Sequence, residues 1–147
     1  MNEHSYPFTL SRREFCYEFV SVSAEKEVKK VVKLSQTNLP NVYNLALFDE
    51  LDTGKLCDMA ESNNNDLKTI LATVIKIIED FLDRSPKCFV AFRGSDQRRQ
   101  RLYRIVIARE LSEIIENFEV FGGIETQIFL FKPNVDYEFY LISKHEN

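Results

Sequence analysis

The chain is poor in the residues and motifs on which common enzyme classes depend. It has no tryptophan and only two histidines in 147 residues, and both, His4 and His145, lie near the chain ends. This placement argues against a Cys–His pair or a Ser–His–Asp triad. The sequence also contains neither a Walker A motif nor a glycine-rich dinucleotide-binding motif. The usual motifs of covalent hydrolysis and of nucleotide-driven chemistry are therefore missing.

Cysteine is scarce, and long apolar runs are absent. The three cysteines are odd in number, far apart and without a Cys-x-x-Cys pair, at Cys16, Cys57 and Cys88. Such spacing is typical of reduced thiols in the cytosol rather than of a disulfide framework or a zinc site. The start of the chain does not resemble a signal peptide, and no run is long enough to span a membrane. We therefore expect a soluble, cytoplasmic protein that does not bind membranes.

The abundant residues predict a folded domain. Apolar residues make up 44% of the chain, with 12 phenylalanines and 6 tyrosines, which is ample for a hydrophobic core. The length fits one domain, and no linker or repeat divides it. We expect a single domain over residues 1–147, with frayed termini at about 1–7 and 144–147.

Hydrophobic periodicity predicts two helices among short strands. Apolar residues recur at three- and four-residue steps from Leu67 to Leu82, and again on a face that includes Tyr103 and Ile107. Short runs rich in aromatic and β-branched residues indicate strands. The predicted strands cover 15–23, 27–35, 42–49, 88–92, 120–121, 126–131 and 137–143, and the helices cover about 65–84 and 97–117.

The predicted order of elements is β-β-β-α-β-α-β-β-β. Hairpin-length links at both ends favour a mainly antiparallel sheet packed against two helices, which is an α+β fold. Asn65 or Asp66 is expected to cap the first helix, since both side chains accept hydrogen bonds from free backbone N–H groups.

One segment concentrates positive charge in a chain whose net charge is -4. Six of the nine arginines lie between residues 93 and 109. Guanidinium groups are planar, permanently charged donors that suit phosphates and carboxylates. Gly94 permits a tight turn from strand to helix, and the first N–H groups of that helix would add to an anion site. The predicted anion or nucleic-acid site consists of Arg93, Ser95, Arg98, Arg99, Arg101, Arg104 and Arg109.

The same segment also fits an ordinary surface helix. Its guanidiniums would then be solvated, or paired with acidic residues such as Glu110 and Glu113. However, Leu102 and Ile105 lie on the arginine face, and an exposed face seldom carries two such residues. This favours a face that is partly covered by another layer or by a partner, where an arginine needs an acceptor.

A second candidate site is the acidic loop before the first helix. Carboxylates there could hold magnesium beside the arginines, as a nuclease or another phosphoester enzyme would require. The spacing matches no EF-hand loop, and we favour a solvated loop with helix-capping carboxylates. The metal alternative depends on Asp49, Asp52 and Asp66, and the other acidic residues of the segment are Glu50, Asp58 and Glu61.

Aromatic residues alternate in the first and last predicted strands. If one such face were exposed, it would be a stacking platform for single-stranded bases. A strand that faces the core shows the same alternation, and we favour that interpretation. The residues concerned are Phe15, Tyr17, Phe19, Phe129, Phe131, Tyr137, Phe139 and Tyr140.

Several short segments, taken together and in their order along the chain, resemble those of a known family. They are Tyr43-Asn44-Leu45-Ala46, Ser62-Asn63-Asn64 with Asp66, Leu71-Ala72-Thr73-Val74, Gly94-Ser95 followed by Arg99-x-Arg101-Leu102-Tyr103-Arg104, and Tyr137-Glu138 with Phe139 to Ser143. Together they resemble a family of short bacterial proteins described only as a domain of unknown function. The family typically has Thr and then Pro after Gly-Ser, where this chain has Asp96 and Gln97. The resemblance implies one intact domain in a bacterial cytosol and no particular activity, and the added carboxylate would weaken an anion site.

The sequence favours a binding module for a phosphate-bearing partner, above all single-stranded nucleic acid, held by the arginines. We expect no cofactor. One alternative is a metal-dependent nuclease or phosphoester enzyme. The other is a protein-interaction module, such as a component of a toxin–antitoxin pair or a homo-oligomer, whose arginines meet an acidic partner.

Overall fold

Nine strands of the described residues form one sheet, and two helices pack against it. The computed structural model describes residues 5–11, 15–22, 27–57 and 66–145. The strands are β1 (Phe8–Ser11), β2 (Cys16–Val22), β3 (Glu27–Gln36), β4 (Val42–Glu50), β5 (Leu56–Cys57), β6 (Phe89–Phe92), β7 (Phe118–Ile124), β8 (Gln127–Leu130) and β9 (Phe139–Lys144). The helices are α1 (Leu67–Arg84) and α2 (Gln97–Ile114). The predicted α+β class is confirmed.

The sheet is mixed but mostly antiparallel. Its strands lie in the order β1-β2-β3-β4-β6-β9-β7-β8, and β5 pairs with the end of β4. Only β4 and β6 pair in parallel among these strands, and α1 connects them. The connection through α2 takes the chain from β6 to β7, and β9 then enters between those two strands. The predicted antiparallel character is therefore confirmed, with one parallel pairing that the sequence did not indicate.

Several details differ from the predicted elements, including the bounds of β7, which spans Phe118–Ile124 rather than 120–121. The strands β1 and β5 were not predicted, because they have only four and two residues and offer too little alternation to detect. The second helix ends at Ile114 rather than near residue 117, because Phe118 already begins β7. Helix ends are the least certain feature of a periodic pattern, since apolar spacing continues into the next strand.

Residues near both chain ends are held in the fold. The backbone N–H of Tyr6 donates to Thr73 Oγ1 at 2.8 Å. The Lys144 ammonium binds Asp83 at 2.7 Å, and the His145 N–H donates to the Asn117 carbonyl.

The first helix, α1, buries its apolar face against the sheet. Its buried residues include Leu71, Val74, Ile78 and Leu82, at the spacing that the sequence predicts. Asp66 is the N-cap residue, but its side chain makes no capping hydrogen bond. Its carboxylate accepts from the hydroxyls of Tyr6 and Ser21 instead, so the predicted side-chain cap by Asp66 is wrong. Asn65, the other predicted cap, lies outside the described residues.

Both helices contribute to one hydrophobic core on one face of the sheet. The core includes Tyr17 and Val32 from the first strands, Tyr140 and Ile142 from β9, and residues of both helices. On the opposite face of the sheet, Val20 is exposed, whereas Val31 is buried. Within the described residues, the two helices therefore cover one face of the sheet.

Candidate functional site

A tight turn joins β6 to α2 and places the first arginines. An added Cβ on Gly94 would lie 2.3 Å from the backbone nitrogen of Gln100, so only glycine fits there. The Gly94 N–H donates to the side-chain oxygen of Gln100 at 2.6 Å. The turn therefore rests on the first turn of α2, and Arg93 is held close to the start of the helix.

The start of α2 is capped by its own carboxylate. Asp96 is the N-cap residue, and its side chain accepts from the Arg99 N–H at 2.8 Å and also binds the Arg99 guanidinium. The hydrogen bond from the Arg99 N–H lowers the pKa of Asp96, and the nearby Arg99 charge adds to this effect. The predicted anion site at the helix start is thus partly filled by Asp96, and Arg99 already has an acidic partner.

The segment 131–138 packs beside the first turns of α2. The side-chain nitrogen of Gln100 donates to the Tyr137 carbonyl at 2.8 Å, and the Tyr140 hydroxyl donates to the Gln100 carbonyl at 2.9 Å. Burial raises the pKa of Tyr140 to about 12, so its hydroxyl remains a neutral donor at physiological pH. Gln100 therefore connects the turn, the helix and the segment 131–138.

Two neighbouring cavities open at this junction, with volumes of about 530 and 760 Å³. Gln97, Gln100 and Tyr137 line both of them and form the wall between them. The smaller cavity is also lined by Arg98, Arg101, Asp136 and Tyr140. The larger cavity is also lined by Asn44, Leu45, Ala46, Leu47, Leu71, Arg93, Gly94, Ser95, Asp96, Arg99, Tyr103 and Glu138. We call the two cavities together the arginine groove.

Three of the predicted arginines have charge available for a ligand. Arg93, Arg98 and Arg101 are exposed, line the arginine groove and form no ion pair with the described residues. Arg98 and Arg101 are one helical turn apart on α2, about 4.5 Å along its axis. Ser95 is exposed and lines the larger cavity with Arg93. The structure therefore brings together four of the seven predicted site residues without internal acidic partners.

The other arginines of the segment are differently placed. Arg104 lies 3.7 Å from a carboxylate oxygen of Asp136 and contacts the Pro133 carbonyl at 3.5 Å, and its buried Nε finds no hydrogen-bond partner among the described residues. Arg109 is exposed but lines neither cavity, and it lies eight residues, or about 12 Å, beyond Arg101 along the helix. Arg99 is paired with Asp96, as described above. Internal pairing therefore applies to part of the segment only.

The acidic residues of the metal alternative lie apart from the groove. Asp49 is buried and binds the Lys30 ammonium, and Asp66 accepts from two hydroxyls, while Asp52 is exposed. Within the described ranges, no three His, Cys, Asp or Glu residues are grouped as a metal site would require. Asp58 and Glu61 lie outside the described residues. A metal here would have to displace the ammonium that already neutralises Asp49.

Most of the alternating aromatic residues belong to the core. Tyr17, Phe19, Phe131, Tyr137 and Tyr140 are buried, as the core-facing interpretation predicts. Burial also raises the pKa of Tyr103, which packs on Phe92 with ring centroids 5.1 Å apart. These rings are therefore closed to stacking with a base.

Sequence reasoning did not assign Gln100, Asp136 or Tyr137 to the anion site. Gln100 on α2 and Tyr137 in the segment 131–138 are 37 residues apart in the chain, and the structure brings them into contact. No local pattern reports such a pairing, because it depends on where β9 enters the sheet.

The comparisons with known proteins agree with the resemblance noted in the sequence. Residues 2–145 match the family described as "Family of unknown function (DUF6934)". No curated protein and no solved structure matches the chain. Across the part of the chain that the structure describes, neither helix has the length and apolar character needed to cross a membrane. The chain belongs to this family of unknown function.

Proposed function

We propose that this family member is a binding module for a phosphate-bearing partner, with single-stranded nucleic acid as the favoured partner. The observation that carries the proposal is the exposure of Arg93, Arg98 and Arg101 around one groove, where they form no ion pair with the part of the chain that the structure describes. Guanidiniums held in this way keep their donors for an incoming anion.

The charge distribution supports a directed contact rather than general adhesion to polyanions. The whole chain has a net charge of -4, so its overall charge does not attract nucleic acid. The groove concentrates cationic groups on one side of α2, and Arg98 and Arg101 are spaced along the helix axis. A row of guanidiniums suits several phosphates of a strand better than one isolated phosphate.

The buried tyrosine rings determine which parts of a nucleic acid the site would contact. Tyr137 and Tyr140 line the groove but are buried, so they give it a rigid wall rather than a stacking platform. Contacts would therefore be mainly with the backbone phosphates, and binding would depend weakly on base sequence.

A titration of fluorescent single-stranded DNA and RNA of mixed sequence, followed by anisotropy, tests the proposal. We expect binding at low salt, with affinity falling by roughly 0.7 log units per phosphate contact for each log unit of salt. Replacing Arg98 or Arg101 by Gln should weaken binding to all sequences alike and reduce the slope by about that amount.

Two variants act as matched controls. Arg109→Gln removes the same charge from the same helix outside the groove, and it should leave the slope nearly unchanged. Asp136→Asn removes a carboxylate that lines the smaller cavity, and it should strengthen binding. Failure to bind either nucleic acid at low salt would contradict the proposal and favour an acidic protein partner.

A further inference from the structure

The last strand of the sheet, β8, presents an apolar edge. It pairs with β7 on one side and with none of the described strands on the other. Ile128, Phe129 and Leu130 are exposed by 53%, 43% and 66%. Natural edge strands are usually protected by lysine, proline, a bulge or a covering element, and residues 127–130 contain no charge and no proline. An edge of this kind is suited to pairing with another strand.

The hydrogen bonds of β8 show which backbone groups are available. The Phe131 N–H donates to the Val120 carbonyl. The backbone N–H and C=O groups of residues 127, 129 and 131 therefore point toward β7. The backbone groups of Ile128 and Leu130 therefore point away from β7. The Tyr137 hydroxyl donates to the Leu130 carbonyl at 3.3 Å and accepts from the Lys132 N–H. On this edge, the N–H and C=O groups of Ile128 and the N–H of Leu130 are thus available for pairing with another strand.

We propose that β8 pairs with β8 of a second copy of this chain, antiparallel and about a two-fold axis at Ile128. In this register the two Ile128 residues exchange both of their hydrogen bonds. The Leu130 N–H of each copy faces the Thr126 carbonyl of the other. The arrangement uses the available backbone groups of Ile128 and Leu130. It makes no use of the Leu130 carbonyl, which already accepts from the Tyr137 hydroxyl.

The charges that flank β8 favour a second copy over an unrelated peptide. Glu125 precedes the strand and Lys132 follows it, and neither forms an ion pair with the described residues. Antiparallel pairing of two copies places the Glu125 end of each strand beside the Lys132 end of the other. The attraction between Glu125 and Lys132 thus occurs twice in a two-fold dimer. An acidic or a basic peptide would complement only one of the two ends of β8.

Sedimentation equilibrium of the full chain over a range of concentrations tests the proposal. We expect a monomer–dimer equilibrium, and Leu130→Lys should raise the dissociation constant by about a hundredfold because it places two charges on the paired edge. Val22→Lys is the matched control, since Val22 is 50% exposed on the same sheet, and it should leave the equilibrium unchanged. A monomer at millimolar concentration, or equal effects of the two variants, would overturn the proposal.

A charge exchange tests the orientation without altering the apolar edge. Glu125→Lys alone and Lys132→Glu alone should each raise the dissociation constant by about tenfold, because each creates two repulsive contacts at the rim. The double variant Glu125→Lys/Lys132→Glu restores both attractions and should dimerise like the original chain. A double variant as weak as the single ones would exclude the antiparallel arrangement.

Cysteine cross-linking tests the register. In an antiparallel hydrogen-bonded pair the two Cα atoms are about 5.5 Å apart, which a disulfide can bridge. Ile128→Cys should therefore form a covalent dimer under mild oxidation. In the same register the two residues at position 130 are about 14 Å apart, so Leu130→Cys should not. Cross-linking at position 130 but not at 128 would contradict the two-fold axis at Ile128.

Discussion

The Lys30 ammonium binds the Asp49 carboxylate across β3 and β4, and both side chains are almost wholly buried. The two residues lie directly opposite each other in the register of the two strands. A buried ion pair contributes little net stability, but each partner keeps the other from being an uncompensated charge in the core. This pairing also explains why Asp49 is not available to a metal ion, although the sequence made it a candidate ligand.

The first prediction concerns this pair. Lys30→Met should destabilise the protein by about 3–5 kcal/mol because it leaves the Asp49 charge buried without a partner. The double variant Lys30→Met/Asp49→Leu should recover most of that loss, since two apolar side chains need no compensation. Urea unfolding followed by circular dichroism measures both free energies. A double variant no more stable than the single one would show that the pair does not act as a unit.

The second prediction concerns the cap of α2. Asp96→Ala should cost about 1 kcal/mol of stability because the Arg99 N–H loses its acceptor. Asp96→Asn keeps an acceptor but not the charge. Folding lowers the pKa of Asp96 from its usual 3.8, so its charge stabilises the fold above that pH and loses this effect as the pH falls through the lower folded value. The stability difference between the original chain and Asp96→Asn should therefore disappear in acid, as thermal unfolding between pH 2 and 7 would show. A difference that stays constant over that range would contradict the charge effect.

The third prediction concerns alkaline pH. Burial raises the pKa of Tyr140 from 10 to about 12 and also raises that of Tyr103. The unfolded chain releases these protons near pH 10 and the folded chain keeps them, so stability is present below pH 10 and is lost as the pH rises above it. Tyr103→Phe keeps the ring contact with Phe92 and should reduce the loss by about 1.4 kcal/mol per pH unit. Urea titrations at pH 8 to 11.5 would measure the two slopes, and identical slopes would count against the effect.

The fourth prediction concerns the turn that places Arg93. Gly94→Ala should destabilise the protein by about 1–3 kcal/mol, because the added methyl group would meet the backbone of α2 rather than a side chain that can move. The same variant should weaken anion binding, since the turn must shift. Ser95→Ala, at the exposed neighbouring position, should leave the free energy of unfolding nearly unchanged. Equal stability of the two variants in urea would show that the turn can relax without cost.

The sequence predicted the helices and the longer strands because their signals are local. In α1, every third or fourth residue from Leu67 is apolar, and these residues form its buried face from Ile70 onward. The strand β5 went undetected because two residues cannot show an alternation. The parallel pairing of β4 with β6 joins distant parts of the chain, so it leaves no local pattern either.

The candidate site was predicted in part for the same reason. A cluster of arginines is visible in any sequence, and the glycine before it indicates a turn. Whether a guanidinium is available depends on partners far along the chain. Arg104 is paired because the segment before β9 brings Asp136 to it, whereas Arg101 lies one turn away and has no such partner among the described residues. The difference in pairing between Arg104 and Arg101 therefore depends on the position of β9 in the sheet.

That position also determines the order in which the molecule can be assembled. The strand β9 (Phe139–Lys144) lies between β6 and β7, and no other strand of the described sheet joins these two. Before residues 139–144 are in place, the described sheet is therefore in two separate parts, and no strand joins the facing edges of β6 and β7. Long-range pairing of this kind slows folding and exposes strand edges during synthesis. Completion of the sheet, and with it of the arginine groove, therefore depends on the insertion of β9 between β6 and β7.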